Sequence, residues 1–288
     1  MEEKQQIIRN NLNTQIRSFS IDKEHIERLV QVLKERCISA CDLELANLKQ
    51  FDQSDEDFAN FKDNLKDAYE VRMTVNATDG QQLIGSVDDV LNSPNYPEDI
   101  KSIYIASDSV LQGVYNYTPR NFFQIFFDFS KPKLLDFSLL PSQPTPNGST
   151  ITVSGYDATW ANGVFKELDS FVKKNPSSMT WIHRSGVYDL LVWIAGLPLG
   201  FWLCYKLSGF FAKLFGSFSI FVQSAAYVYL FVLVLFGFLR LFHYARWVFP
   251  IVEFRSPRNK ELAHRVFLGA IILGIISSVI WDICKSLF

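Results

Sequence analysis

Motifs that would identify a catalytic or cofactor site are missing from this sequence. It has no GxSxG nucleophile elbow, no GxxxxGK[ST] phosphate loop, no GxGxxG dinucleotide fingerprint and no HExxH zinc motif. The histidines, His25, His183, His243 and His264, lack the spacing of metal ligands. We therefore expect neither a metal nor a cofactor, and a non-enzymatic role is favoured over catalysis.

A few residues are candidates for binding or acid–base chemistry. Arg120 begins a predicted strand and would meet an anion there. Tyr156 and Trp160 lie at the start of a predicted helix, where unpaired backbone N–H groups favour anions. Asp128 and Asp136 lie on neighbouring predicted strands, and paired carboxylates are suited to proton transfer. The simpler interpretation is that the charged residues are solvated and that Trp160 anchors its helix to the sheet.

Composition limits the partners of the protein. The 288 residues carry a formal net charge of −2. Nucleic acid phosphates are bound by clustered Lys and Arg, so no nucleic acid partner is expected. None of the four cysteines requires an oxidising compartment, because Cys37 and Cys41 share a predicted helix while Cys204 and Cys284 lie in apolar segments.

Three long apolar segments in the C-terminal part predict membrane-spanning helices. They cover residues 187–207, 218–239 and 266–283, and each is long enough to cross about 30 Å of hydrocarbon. Buried core helices are the alternative, but the polar residues that remain nearby are too few to cover three of them. The sequence therefore predicts an all-α transmembrane domain at 187–288, with the lipid bilayer as its partner.

Basic residues between the second and third segments predict the orientation. The positive-inside rule places such residues in the cytoplasm, so with three spans the N-terminal part is also cytoplasmic. By analogy we expect a multi-pass protein of a bacterial inner membrane. The segment 242–254 is interpreted as an interfacial stretch against the inner leaflet, with extension of the second helix as the alternative. The predicted interface residues are Arg240, His243, Arg246, Trp247, Arg255, Arg258 and Lys260.

Small residues in the predicted spans indicate close helix packing. Pro198 lies inside the first span and is expected to kink it. Small residues that recur every four positions let a neighbouring helix approach closely, either within one chain or between copies, and we expect a homo-oligomer. The predicted packing residues are Gly196, Gly200, Ala270, Gly274 and Ser278.

The N-terminal part is predicted to begin with a polar, frayed terminus that is not a signal peptide. Apolar residues at helical spacing then predict helices at 21–51 and 58–65, within an N-terminal helical segment at 1–67. The helix at 21–51 packs on the rest of the domain or self-associates as a coiled coil. A linker at 177–186 leads from the soluble part to the membrane.

An α+β domain at 68–176 is predicted between these segments. The apolar pattern changes there to a period of two, which is typical of half-buried strands, and short connections favour antiparallel pairing. Asp79-Gly80 predicts a hairpin turn, and Ser86 predicts the cap of a short helix at 87–92. A last helix is predicted at 157–174. The predicted strands are 69–76, 81–84, 100–107, 110–117, 122–129, 133–137 and 149–154.

This layout suits a protein that transmits a cytoplasmic event to the bilayer. The leading hypothesis is a membrane-anchored sensor or effector. A small molecule or cytosolic protein would bind the α+β domain, and an oligomeric helical bundle would respond, for example by permeabilising the membrane. One alternative is a static scaffold that recruits a cytosolic partner. The other is a lipid-acting enzyme that uses polar groups such as His243, Glu253 and His264.

Overall fold

The computed structural model describes residues 8–50, 54–132, 142–256 and 260–287, although several side chains between 260 and 287 lie outside that description. The chain divides into two compact units. Unit 1 contains residues 1–130, 147–178 and 251–258, and unit 2 contains residues 131–146, 179–250 and 259–288.

Unit 1 is an α+β structure built on an antiparallel sheet. Its strands are β1 (Asn10–Gln15), β2 (Phe19–Ile21), β3 (Arg72–Ala77), β4 (Gln82–Ser86), β5 (Ile100–Ala106), β6 (Asn121–Asp128), β7 (Thr150–Gly155) and β8 (Val252–Phe254). Its helices are α1 (Lys23–Asn47), α2 (Asp55–Ala68), α3 (Val87–Leu91), α4 (Ser109–Tyr115) and α5 (Ala158–Lys174). Six strands form one sheet in the order β1-β7-β6-β5-β3-β4, and β2 and β8 form a separate parallel pair.

Alternating side chains explain the main sheet. In β6, Phe123, Ile125 and Phe127 are buried, while the residues between them are half-buried. A strand directs successive side chains to opposite faces, so these three residues share the core face. The predicted hairpin is confirmed: β3 pairs with β4 through a turn in which Gly80 has a φ of 94°, a conformation that glycine adopts without steric cost.

Helices cover the core face of the sheet. Phe19 stacks on Phe127 with ring centroids 5.0 Å apart and also contacts Phe171 of α5 at 6.0 Å.

The predicted cap of α3 is confirmed, because the Ser86 hydroxyl accepts a hydrogen bond from the Asp89 N–H at 3.2 Å. The Asp157 carboxylate caps α5 in the same way, accepting from the Trp160 N–H at 2.7 Å.

The strand predicted at 110–117 is wrong, because residues 109–115 form helix α4. Only Leu111 of this short helix is buried, whereas Val114 and Tyr115 are exposed. A single buried residue is compatible with the helical period of 3.6 and with the strand period of 2. The β-branched and aromatic residues of this segment therefore led to the wrong prediction of a strand. The helix ends at Asn116, which adopts a left-handed conformation with a φ of 50°. The strand predicted at 133–137 lies outside the described residues.

The expectation of a frayed N-terminus is wrong for residues 10–15, which form the edge strand β1. This strand pairs antiparallel with β7, from Asn10 opposite Gly155 to Gln15 opposite Thr150. Its backbone groups are satisfied by the sheet, and an edge position tolerates polar side chains. Residues 1–67 therefore contain strands as well as helices.

Unit 2 contains the apolar helices. Its first helical segment comprises α6 (Val187–Leu191), a π-helical turn (Val192–Gly196) and α7 (Leu197–Lys206). It is followed by α8 (Ser208–Phe215), α9 (Ile220–Val248) and α10 (Lys260–Leu287). Pro198 lies in the first turn of α7, directly after the π-helical turn. Proline cannot donate the usual backbone hydrogen bond, and a π turn is one way in which a helix accommodates that loss.

Two helical segments in the described residues are long and apolar enough to cross a membrane. Residues 187–206 have a mean hydropathy of 1.7 and residues 220–248 one of 2.2. A core helix would be mostly buried, but only 11% and 6% of their most apolar stretches are buried inside the structure. The third predicted span lies within the 28-residue helix α10, whose side chains are only partly described.

Residues 242–248 extend the second apolar helix, which was the alternative interpretation, and the position of this segment against the inner leaflet stays a prediction. Helix α9 continues through this segment as far as Val248, and residues 252–254 form β8. Val252, Glu253 and Phe254 pair in register with Phe19, Ser20 and Ile21. The aromatic and apolar residues of this stretch therefore serve a helix extension and a strand of unit 1.

Candidate functional site

A buried carboxylate organises one end of unit 1. Glu44 of α1 is 1% exposed and accepts hydrogen bonds from three donors. The Tyr69 hydroxyl lies 3.0 Å away, the Tyr117 hydroxyl is a closer partner, and the Arg120 backbone N–H donates at 2.8 Å. Burial and the neighbouring Glu44 raise the pKa of both tyrosines, so both remain protonated donors at neutral pH. Glu44 thereby fixes the start of β6.

Two of the predicted ligand residues are brought together beside this network. The guanidinium carbon of Arg120 lies 5.2 Å from the centroid of the Tyr156 ring. Arg9 approaches the same ring at 5.6 Å and the Phe122 ring at 5.0 Å. The Arg9 Nε donates to the Ser154 hydroxyl at 2.8 Å, which fixes the arginine against β7. Tyr156 is 37% exposed, so this arrangement is at the surface.

The third predicted ligand residue, Trp160, lies in the core. It is 8% exposed, and its indole N–H donates to the Arg36 carbonyl at 3.4 Å. One edge of the side chain lines an open groove of about 580 Å³ between α1 and α5. The Arg36–Glu167 ion pair, 2.7 Å long, lies along the same groove. Trp160 thus packs α5 against α1 and is not part of the exposed group formed by Arg9, Arg120 and Tyr156.

Close packing beside Tyr156 depends on a glycine. A Cβ atom on Gly155 would lie 2.6 Å from the Asn121 Oδ1 and 3.4 Å from the Trp160 ring. The Asn121 side chain is buried and its Oδ1 accepts from the Asp157 N–H at 3.3 Å. Glycine therefore lets β7 approach the start of α5 and places Tyr156 at the surface.

Arg9 and Glu44 were missed by the sequence prediction. Arg9 lies in the segment that was expected to be frayed, so nothing local indicated a fixed position. Glu44 did carry a signal: it is three residues after Cys41 and one before Leu45, within the apolar stripe of α1. A charged residue on the buried face of a helix indicates that a partner must satisfy it.

The predicted interface residues of α9 lie close to the short 3₁₀-helix at Thr180–His183 in unit 2. Arg246 is fully buried and its Nε donates to the Ile182 carbonyl at 3.0 Å. A second N–H of Arg246 donates to the Gln143 carbonyl at 3.2 Å. His243 is also buried, Arg240 lies over the Phe236 ring, and Trp247 contacts His264. Of the remaining predicted interface residues, Arg255 is in unit 1, and Arg258 and the Lys260 side chain lie outside the described part.

The predicted packing residues differ in their surroundings. A Cβ on Gly196 would lie 3.3 Å from the Phe238 ring, and one on Gly200 would lie 2.7 Å from the Phe231 ring. These two glycines therefore let the first helical segment approach α9. No described atom lies within 4 Å of a Cβ built on Gly274, and Ala270 is exposed. The Ser278 side chain is outside the described residues.

The candidate chemical residues are not assembled into a catalytic group in the described structure. The Asp128 carboxylate accepts from the backbone N–H groups of Ser130 and Gly148, and Asp136 lies outside the described chain. The Tyr244 hydroxyl and the His264 Nδ1 are 2.7 Å apart in unit 2, whereas Glu253 belongs to β8 in unit 1. Among the described residues, no three His, Cys, Asp or Glu side chains are grouped as a metal site.

His183 should make unit 2 less stable in acid. The residue is 4% exposed, its Nε2 hydrogen-bonds to the Phe249 carbonyl, and its Nδ1 lies 2.9 Å from the Thr145 hydroxyl. Burial lowers the pKa of His183 from 6.5 to about 4. Because the unfolded chain binds the proton first, stability is complete above pH 6.5 and is lost as the pH falls towards 4. The expected loss is about 2 kcal/mol at pH 5.

Denaturant titrations of the detergent-solubilised protein at pH 7.5 and pH 5 would measure this loss. His183→Gln keeps an amide that can donate to Phe249 but does not titrate, so its stability should change less between the two pH values. If His183→Gln and the unchanged protein have the same pH dependence, the assignment to His183 is wrong.

The comparisons with known proteins identify no relative. No protein-family model matches the chain, and no curated protein or solved structure is similar enough to match it.

Proposed function

We propose that this protein is a membrane-anchored, non-enzymatic sensor or effector. Unit 1 binds a ligand or a partner, and the helices of unit 2 respond in the bilayer. Three spans, a cytoplasmic unit 1 and an oligomeric helical bundle are parts of the same proposal. The observation that carries it is the position of β8, which belongs to unit 1 although it lies in the chain between α9 and α10.

The membrane part of the proposal is supported by exposed apolar side chains. On α9, Ile220 is 82% exposed and Phe221 is 79% exposed, and Trp193 on the first helical segment is 72% exposed. Large apolar surface in water marks a site for another protein or for lipid. Two adjacent helices of spanning length fit lipid best, because acyl chains solvate such a surface on all sides.

The coupling part is supported by the hydrogen bonds that hold β8. The Ile251 carbonyl accepts from the Phe19 N–H at 3.0 Å and from the Ser177 hydroxyl at 2.7 Å. At the other end, Arg255 donates its N–H to the Ile21 carbonyl and its Nε to the Ser20 hydroxyl, both at 2.6 Å. A shift of β2 would therefore pull on β8, which follows α9 and precedes α10 in the chain.

Membrane integration is the first test of the proposal. After expression, the full chain should stay in the membrane pellet during alkaline carbonate extraction and should enter solution only with detergent. Its mass in detergent should exceed that of one chain. A protein that is monodisperse in plain buffer would overturn the membrane assignment.

Coupling is tested in dye-loaded liposomes that contain the full chain. We expect dye release when the small-molecule fraction of a cell extract is added. Arg255→Ala removes the Ser20 contact and should reduce the release, whereas Arg17→Ala, an exposed arginine that precedes β2, should leave it unchanged. Equal dye release from the two variants would contradict transmission through β8. If the protein is monomeric and no extract fraction causes dye release, the effector function is contradicted.

A further inference from the structure

We propose that Arg9, Arg120 and Tyr156 form a binding site in unit 1 for a phosphate-bearing anion. This inference rests on the proposed function in that it names the chemical class of the ligand. The site lies where β6 begins, β7 ends and α5 begins.

The first argument is the arrangement of charge. Two guanidinium groups lie within 5.6 Å of the centroid of one tyrosine ring. Other arginines of unit 1 pair with carboxylates, as Arg36 does with Glu167 and Arg72 with Glu70. No such ion pair is formed by Arg9 or Arg120 with the residues that the structure describes. Two guanidinium groups at one surface ring concentrate positive charge there, and such a place favours an anion.

The nearby carboxylates form no ion pair with Arg9 or Arg120 among the described residues. Asp108 is close enough to Arg9 to interact through its charge, but one of its oxygens accepts from the side chains of Gln112 and Gln124, each at 2.7 Å. The Asp157 carboxylate accepts from the Trp160 N–H at the start of α5. Neither carboxylate therefore takes the place of an external anion at the two guanidinium groups.

The second argument is preorganisation. Arg9 is held by the Ser154 hydroxyl and by two aromatic rings. The backbone of Arg120 is held by the buried Glu44, and its side chain is held by Tyr156. Arginines whose conformations are fixed lose less entropy on binding, and the planar guanidinium matches two phosphate oxygens at once.

The third argument is access. The helices cover the core face of the sheet, so Phe122 and Ser154, which alternate with core residues, belong to the opposite face. Arg9 is exposed and Arg120 is half-buried, so both can reach a ligand in solution.

Calorimetric titration of the full chain in detergent with inorganic pyrophosphate tests this site. Arg9→Gln and Arg120→Gln should each raise the dissociation constant about tenfold or more, as expected for the loss of a charged hydrogen-bond donor. The double variant should show no measurable binding. Arg120→Lys should bind with intermediate affinity, because lysine keeps the charge but loses the planar fork. Arg17→Gln, which changes an exposed arginine outside the site, is the matched control and should bind like the unchanged protein.

Two further arms identify the source of the phosphate. Vesicles of phosphatidylglycerol and of phosphatidylcholine are compared as competitors, and competition by the anionic vesicles alone would assign the site to lipid headgroups. Absence of pyrophosphate binding, or binding that survives the double variant, would overturn the site. If pyrophosphate does not bind but the cell extract still causes dye release, the anion site is wrong and the proposed function remains. If pyrophosphate binding depends on the arginines but no dye is released, the anion site remains and the effector function is refuted.

Discussion

Replacing Glu44 by alanine is expected to lower the free energy of unfolding of unit 1 by about 3–5 kcal/mol. The substitution removes the acceptor of three hydrogen bonds, from the Tyr69 hydroxyl, the Tyr117 hydroxyl and the Arg120 N–H. Tyr69 is 8% exposed, so water cannot replace Glu44 without opening the core. A buried donor that loses its partner costs more than the bond contributed, and three donors lose theirs together.

Hydrogen exchange on peptides of α1 and β6, measured by mass spectrometry on the solubilised protein, would report this change within unit 1. Glu35→Ala is the matched control, because Glu35 lies on the same helix and is exposed. Glu44→Gln should fall between the two, since an amide keeps one acceptor oxygen. If Glu44→Ala exchanges no faster than Glu35→Ala, the three hydrogen bonds do not stabilise the fold as argued.

The same substitution bears on the proposed anion site. Glu44 holds the backbone of Arg120, so Glu44→Ala should weaken pyrophosphate binding even though Glu44 is itself buried away from the ligand. A conservative Glu44→Gln should recover part of the affinity. If the loss of pyrophosphate affinity among the Glu44 variants increases with the rate of local hydrogen exchange, Glu44 is a positioning residue.

The second large effect is expected at Gly200 in unit 2. Leucine at this position should destabilise the packing of the first helical segment on α9 by about 3 kcal/mol, and alanine by less. A Cβ on Gly200 would lie 2.7 Å from Phe231, whose ring is itself packed on Phe201 with centroids 4.9 Å apart. The ring cannot move aside without losing that contact, so the helices must separate.

Gly237→Ala is the control, because it should not destabilise the helix packing. Gly237 lies within α9, and none of the residues that the structure describes approaches within 4 Å of a Cβ built there. Alanine is a better helix former than glycine, so this variant should be as stable as the unchanged protein or slightly more stable. Dodecyl sulfate titration in mixed micelles, followed by tryptophan fluorescence, measures both variants. Equal midpoints for Gly200→Leu and Gly237→Ala would contradict the close helix packing.

Elements with strong local signals could be predicted from the sequence. The Ser86 cap begins α3 where the sequence indicated, because capping involves residues only three positions apart, and α5 covers the range predicted for the last helix. The alternation in β3 and β6 predicted strands because each buries one face. Helix α9 and the first apolar helical segment were predicted from their length and lack of charge, which can be read without knowing their neighbours in the structure.

Only the tertiary structure decided the elements that depend on distant partners. β1 is polar and β8 is only three residues long, and each becomes a strand because another strand satisfies its backbone. The sequence predicted Arg120 and Tyr156 as separate candidates, but the approach of Arg9 to the Tyr156 ring, which Arg120 also contacts, requires β1 to pair with β7. Local sequence therefore determined which segments are helical, extended or apolar, because those preferences arise within a few residues. Pairing between residues more than a hundred positions apart determined the candidate site, because such contacts form only when the whole unit folds.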